Sequence, residues 1–131
     1  MKFLLLQNYE GGAGCTVPMD QWSTDDIKAH VEFQYTLNKE LVDSGELVDA
    51  QGLAGPARFV TFDGVGSPVV TDGPFPESKE LLAGYRMVDV ETAGRALEIA
   101  ARASAAPGVN GMPIRQRIEV REVMSAPDPE V

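Results

Sequence analysis

The chain has 131 residues, of which 44% are hydrophobic and 24% are charged, and this is the composition of a folded domain of ordinary size. Twenty acidic and eleven basic side chains give a formal net charge of −9, so we expect binding neither to nucleic acid nor to an anionic membrane. Cys15 is the single cysteine, which excludes an intrachain disulfide, and the apolar run near the N-terminus is too short for a signal peptide or a membrane span. We therefore expect a cytoplasmic protein.

The first third of the chain predicts a buried strand followed by a long helix. The segment over residues 2–7 contains an unbroken apolar run, residues 3–6, which is typical of a strand buried on both faces. Ser23 and Asp26 form a capping-box pattern that starts a helix over residues 24–44, and Gly45 fits a left-handed C-cap. The apolar stripe of this helix consists of Ile27, Val31, Phe33, Leu37, Leu41 and Val42.

The rest of the chain predicts five further strands and one more helix. These strands are expected over residues 46–51, 58–63, 68–71, 81–90 and 114–123. Gly64 and Gly66 supply the turn of a hairpin between the second and third of them. An alanine-rich helix is expected to begin after a cap at Asp89 and to end before Pro107.

The order of these elements predicts a ferredoxin-like α+β fold, βαββαβ, with an added hairpin. We expect one domain over residues 1–123 and a flexible tail over residues 124–131. Two helices cover only one face of such a sheet, whereas the first strand is apolar on both faces. Because a second copy of the chain would cover the other face, we expect a homodimer.

A sharp turn lies in the segment VVTDGPFPESKELLAGY, residues 69–85. In this turn Gly73 permits positive φ, Pro74 stiffens the backbone, and Phe75 can anchor the loop in apolar surface. Together with MKFLLL at the start, a long helix containing a histidine, an alanine-rich second helix and IEVREV near the end, the segment resembles the DGPF family, a branch of the YCII-related superfamily. The resemblance covers residues 1–123 and implies a dimeric α+β barrel of ferredoxin-like fold, but most members have no assigned reaction.

The resemblance also implies a pair of catalytic residues. Related YCII-type proteins have a His–Asp pair proposed as an active-site dyad, and the matching residues here are His30 and Asp72. Helical spacing places His30 within the apolar stripe, where a carboxylate partner would make it a usable general base. The alternatives are a core histidine bonded to a backbone carbonyl and an aspartate that only shapes its turn.

Three further side chains are candidates for contacting a ligand. Tyr85, Arg86 and Arg115 could line a cavity between two subunits and hold a small acidic or phenolic molecule, or they could belong to ordinary solvated strand faces. We expect no metal and no cofactor, because one histidine and one cysteine are too few for a zinc site and no loop has the spacing of a calcium site.

Two functions are consistent with these patterns. In the first, the chain is a small cofactor-free enzyme in which His30, oriented by Asp72, transfers a proton on a small polar or aromatic molecule. In the second, it is a non-catalytic dimer that senses a ligand or binds a protein partner. An alternative sigma factor is one such partner, because some members of the resembled family occur beside sigma-factor genes.

Overall fold

The computed structural model of the chain describes residues 1–8, 17–55, 57–73 and 82–124. Within these ranges the chain forms β1 (Lys2–Asn8), α1 (Thr24–Asp43), β2 (Leu47–Gly52), β3 (Arg58–Thr61), β4 (Val69–Asp72), β5 (Leu82–Asp89), α2 (Ala93–Ser104) and β6 (Ile118–Glu122). Short 3₁₀ turns cover Met19–Gln21 and Val109–Gly111.

Four strands form one antiparallel sheet in the order β2-β5-β1-β6, and β3 and β4 form a separate two-stranded hairpin. The four-stranded order is a split β-α-β arrangement, because β5 lies between β2 and β1. The predicted α+β architecture is therefore confirmed, and the topology is compatible with a ferredoxin-like fold. The predicted hairpin is also present, closed by residues 62–68.

The first helix begins and ends as the sequence predicts. The Ser23 hydroxyl accepts a hydrogen bond from the Asp26 N–H at 3.1 Å, and Gly45 follows the helix with a φ of 77°. Only part of the predicted apolar stripe is buried, because Val31 and Val42 are 54% and 60% exposed. The fully buried apolar residues of α1 are Leu37 and Leu41.

The second helix begins at a different cap from the predicted one. The Thr92 hydroxyl accepts a hydrogen bond from the Arg95 N–H at 3.1 Å, so Thr92 is the N-cap. Asp89 is instead the last residue of β5, where its N–H donates to the Glu46 carbonyl at 2.7 Å. The prediction at Asp89 was wrong because sheet pairing extends to that residue.

The core lies between the two helices and one face of the four-stranded sheet. Its buried residues are Phe3, Leu5, Leu37, Leu41, Val88, Val90, Ala96, Ile99, Ala100 and Ala103. Leu5 of β1 lies opposite Arg86 of β5, which puts Arg86 on this same helix-covered face. On the opposite face Leu4, Leu6 and Met87 are half-buried.

A one-residue bulge interrupts the pairing of β2 with β5. Leu47 pairs with Val88, but Asp49 pairs with Met87, so Val48 is the extra residue. Because successive strand residues alternate between faces, the bulge keeps Leu47 on the core face and places Asp49 on the opposite face.

The last strand is shorter than the sequence predicts. Arg115 has a φ of 59°, and residues 114–117 lie outside β6. Two bonds instead join this segment to the end of α2: the Ser104 hydroxyl donates to the Gln116 carbonyl at 2.6 Å, and the Gln116 N–H donates to the Ser104 carbonyl at 3.2 Å. These bonds fix the loop that leads from α2 into β6.

Candidate functional site

A polar stripe on α1 faces the sheet beside the apolar core. His30, Gln34 and Asn38 are spaced four residues apart, so they share one face of the helix. Arg86 projects toward them from β5 and is only 6% exposed. Its Nε donates to the Oδ1 of Asn38 at 2.7 Å, and its Nη2 donates to the Oε1 of Gln34. The layer between α1 and β5 therefore holds a charged group beside an otherwise apolar core.

Arg86 determines which atoms donate and which accept in the hydrogen bonds that link Gln34, His30 and Pro107. A guanidinium only donates, so Gln34 must turn its oxygen toward Arg86 and its NH₂ toward His30. Gln34 Nε2 lies 3.3 Å from His30 Nε2, which must then be the acceptor. His30 Nδ1 consequently carries the hydrogen and donates to the Pro107 carbonyl at 2.9 Å. The pattern requires the neutral Nδ1–H tautomer, whose basic atom is Nε2.

The loop after α2 places the Pro107 carbonyl beside the imidazole. The Gly108 N–H donates to the Met112 carbonyl at 2.7 Å, which closes the loop immediately after Pro107. On another side, the Trp22 ring meets the His30 ring edge to face, with centroids 5.5 Å apart and planes at 78°. These contacts fix the orientation of His30 as well as its tautomer.

Burial without a counter-charge is the unusual property of Arg86. Removal from water lowers its pKa, and no carboxylate among the described residues forms an ion pair with it. Arg95, by contrast, donates from Nε and Nη2 to both oxygens of Glu46, each at 2.9 Å. These bonds to Arg95, helped by the Ser44 hydroxyl, lower the pKa of Glu46 to about 2. The half-buried Arg95 thus has a carboxylate partner and the deeply buried Arg86 has none in the described chain.

Asp72 lies in a different part of the molecule from His30. It ends β4, its side chain is 76% exposed, and its Oδ1 is 3.8 Å from the Nε of Arg58. Within the described ranges no hydrogen bond or ion pair joins Asp72 to His30. The dyad suggested by the sequence is therefore not formed by a direct contact within the described chain, and His30 instead makes the bond to a backbone carbonyl that the alternative interpretation expects.

The turn motif is described only at its first residues. Gly73 has the positive φ expected of it, 104°, and donates its N–H to the Ala57 carbonyl at 2.9 Å. This bond extends the pairing of the hairpin by one residue. Pro74 and Phe75 lie outside the described residues.

Tyr85 and Arg115, the other two candidate ligand contacts, lie away from Arg86. Tyr85 is on the opposite face of the sheet, where its hydroxyl donates to the Oδ2 of Asp49 at 2.7 Å. This bond lowers the pKa of Asp49 and raises the pKa of Tyr85. Arg115 is exposed in the loop before β6. Of the three, only Arg86 joins the polar chain that contains His30.

Gln34 and Asn38 are the site residues that the sequence patterns did not single out. Their signal is the spacing of four from His30, which places amides where the sheet-facing stripe of a helix is usually apolar. Such a stripe indicates a buried polar partner on the sheet, although the spacing alone does not say which strand supplies it.

Two other classes of feature are absent from the described part of the chain. In residues 1–8, 17–55, 57–73 and 82–124, no three or more His, Cys, Asp or Glu side chains are grouped as metal ligands would be. Neither helix formed by those residues has the length and apolar character needed to cross a bilayer.

The fold and this site define an antiparallel α+β protein in which one glutamine links a neutral histidine to a buried arginine. A family model for the YCII-related domain matches residues 1–117 of this chain. The chain therefore belongs to the YCII-related family. A search among curated proteins found no match.

Proposed function

We propose that this YCII-related chain belongs to the DGPF branch and acts as a cytoplasmic, cofactor-free homodimer that transfers a proton on a small polar or aromatic molecule. The observation that supports this most directly is the state of His30. Its Nδ1 hydrogen is held by the Pro107 carbonyl, which leaves Nε2 as the basic atom. A histidine whose second nitrogen is fixed in this way is arranged as general bases commonly are.

In the proposed step the lone pair of His30 Nε2 takes a proton from a carbon or oxygen atom of the substrate, and the electron pair of the broken bond stays on the substrate. Return of the proton to a different atom gives an isomer. If that electron pair instead forms a double bond while a leaving group departs with its own bonding pair, the result is an elimination. Gln34 must move to admit the substrate, and its 3.3 Å contact with Nε2 is the longest in the polar chain.

Asp72 is the proposed second member of a dyad. Its carboxylate, brought beside the imidazole, would stabilise the protonated form of His30 that the step creates. The present partner of Asp72 is Arg58, in an exposed pair of 3.8 Å, and such pairs contribute about 0–1 kcal/mol. Little free energy therefore ties the Asp72 side chain to Arg58, although its backbone is part of the paired hairpin.

The proposed homodimer is supported by the second face of the sheet. Leu4, Leu6 and Met87 are half-buried there, while α1 and α2 both pack on the other face. A two-fold pair would cover this apolar strip in both subunits at once.

An NMR titration of the His30 ring protons tests the dyad. We expect the pKa of His30 to be lower in Asp72→Asn than in the wild type, because the variant removes a negative charge that favours the imidazolium. Asp43→Asn, at the far end of α1, removes the same charge at a distance of about 20 Å along the helix and should leave the pKa unchanged. Equal pKa values in all three proteins would remove Asp72 from the proposed site.

The hairpin supports a second candidate, a non-catalytic dimeric module that senses a ligand or binds a protein such as an alternative sigma factor. Six of its large apolar side chains are more than half exposed: Phe59, Val60, Phe62, Val65, Val69 and Val70. Exposed apolar clusters of this kind mark interaction surfaces, and the net charge of −9 suits a basic partner.

A double variant, Val60→Thr with Val70→Thr, separates these candidates. Both side chains lie on one face of the hairpin, because the two residues are paired directly. Loss of binding to a sigma factor of the same organism, with the His30 titration unchanged, would support the module. Binding that survives the double substitution would argue that the hairpin is not the docking surface.

A further inference from the structure

We infer that the open edge of Arg86 binds a carboxylate or another small anion of the ligand. This inference rests on the proposed small-molecule function and names its ligand class. A cation removed from water is destabilising unless an opposite charge or a full set of acceptors offsets the loss of hydration. In the described chain Arg86 has two neutral amide oxygens and no carboxylate, so its charge is left for a ligand to compensate.

The hydrogen bonds of Arg86 leave one edge of the guanidinium available. Asn38 and Gln34 occupy the edge formed by Nε and Nη2. The edge formed by Nη1 and the second Nη2 hydrogen has no partner among the described residues. No described side chain holds a fully buried nitrogen or oxygen that lacks a hydrogen bond, so Nη1 is in contact with solvent. Two parallel N–H groups on that edge match the two oxygens of a carboxylate.

The position of this edge defines the kind of molecule that would use it. Gln34 contacts Arg86 through its oxygen and His30 through its nitrogen, so one amide group separates the anion site from the proposed proton acceptor. Arg86 and His30 Nε2 thus contact the same glutamine side chain, which links the proposed anion site to the proposed proton acceptor. The expected ligand is a small organic acid whose reacting hydrogen lies a few bonds from its anionic group.

Titration with acetate, benzoate and inorganic phosphate at constant ionic strength tests the inference on the full chain. The readout is the side-chain Nε–H signal of Arg86 in proton–nitrogen NMR spectra, assigned by its absence from Arg86→Lys. We expect a saturable shift in the wild type. Stronger binding of benzoate or acetate would identify a carboxylate site, and stronger binding of phosphate would identify a phosphate ester as the ligand class.

Asn38→Asp is the discriminating variant, because it places a carboxylate of the protein itself against Arg86 Nε. This internal anion should weaken binding of the added anion at least tenfold. Lys39→Gln changes the net charge by the same amount on the exposed side of α1 and should bind within about twofold of the wild type. Equal affinities in Asn38→Asp and the wild type, or the lack of any saturable shift in the wild type, would overturn the inference.

Two further variants distinguish a failure of the Arg86 anion site from a failure of the proposed proton transfer by His30. Arg86→Lys retains the charge but not the bidentate edge, and should bind carboxylates about tenfold more weakly in a chain whose circular dichroism is unchanged. Because this variant lacks the arginine signal, its binding is followed through the backbone N–H signals of Gln34 and Asn38. His30→Gln should retain anion binding. If the wild type binds anions but Asp72→Asn does not change the pKa of His30, the Arg86 site is supported and only the proposed dyad is excluded.

Discussion

The two helices pack on the same face of the sheet but bury different kinds of side chain. α2 contributes Ala96, Ile99, Ala100 and Ala103 to the core, all apolar. α1 contributes Leu37 and Leu41 to the same core. Its polar residues His30, Gln34 and Asn38 form a hydrogen-bonded chain with Arg86. The difference indicates that α2 mainly stabilises the fold. In α1, polar residues replace part of the apolar contact and bind the buried guanidinium of Arg86.

Truncation of the α2 side of the core should have the largest effect on stability. Ile99 is fully buried, and Ile99→Ala should lower the free energy of unfolding by about 2–5 kcal/mol, because it removes apolar contact and leaves a cavity. Urea denaturation measures this. Leu97→Ala, at a 57% exposed position of the same helix, should change the value by less than about 0.5 kcal/mol. Similar effects of the two substitutions would contradict the role given to α2.

Removal of the ion pair at the start of α2 should have the next largest effect. Arg95→Gln breaks the bidentate ion pair with Glu46 and should lower the free energy of unfolding by about 1–2 kcal/mol near neutral pH. The Glu46 pKa is about 2 in the folded chain against an ordinary value of 4.5. A lowered folded pKa stabilises the protein fully above pH 4.5, and this contribution is lost as the pH falls toward 2.

Unfolding curves collected across that pH range check the sign of the effect. The difference between wild type and Arg95→Gln should shrink steadily from pH 5 to pH 2. A difference that stays constant over this range would mean that Arg95 acts through packing rather than through the Glu46 carboxylate.

On the α1 side, a substitution that adds charge should stabilise the chain. Asn38→Asp gives Arg86 a carboxylate partner and should raise the free energy of unfolding by about 1 kcal/mol at neutral pH. The gain should disappear in acid, because a carboxyl beside a guanidinium has a lowered folded pKa and its contribution is lost as it is protonated. Lys39→Gln is the charge-matched control in the same denaturation experiment. A destabilised Asn38→Asp would mean that the charge of Arg86 is already compensated.

The smallest effect is expected in the hairpin. Val60 is 63% exposed, so Val60→Thr should change the unfolding free energy of a dilute sample by less than about 0.5 kcal/mol. The measurement is made at two protein concentrations about a hundredfold apart. An effect that grows with concentration would show that the hairpin is covered in a dimer, since association stabilises the folded state by mass action.

The fold was more predictable from the sequence than the site, for physical reasons that particular residues illustrate. Local patterns determine caps, turns and strands, so the Ser23 cap, the hairpin turn at residues 64–67 and the apolar strands were recognisable. The burial of Arg86 depends instead on which strands become neighbours. Tyr85 and Arg86 were grouped as candidate ligand contacts, yet adjacent strand residues point to opposite faces, and register decides what each one meets.

The bulge at Val48 connects the register of β2 to the chemistry of the site. If β2 paired with β5 without this bulge, with Leu47 still opposite Val88, Asp49 would pair with Arg86 instead of Met87 and would lie on the same face as the guanidinium. The chain would then contain its own counter-ion directly across from Arg86. Within such a fold the presence or absence of one bulge, rather than any change of side chain, could convert a ligand-binding arginine into a purely structural one. The register of β2 against β5 would thus carry as much functional information as the identity of the residue at position 86.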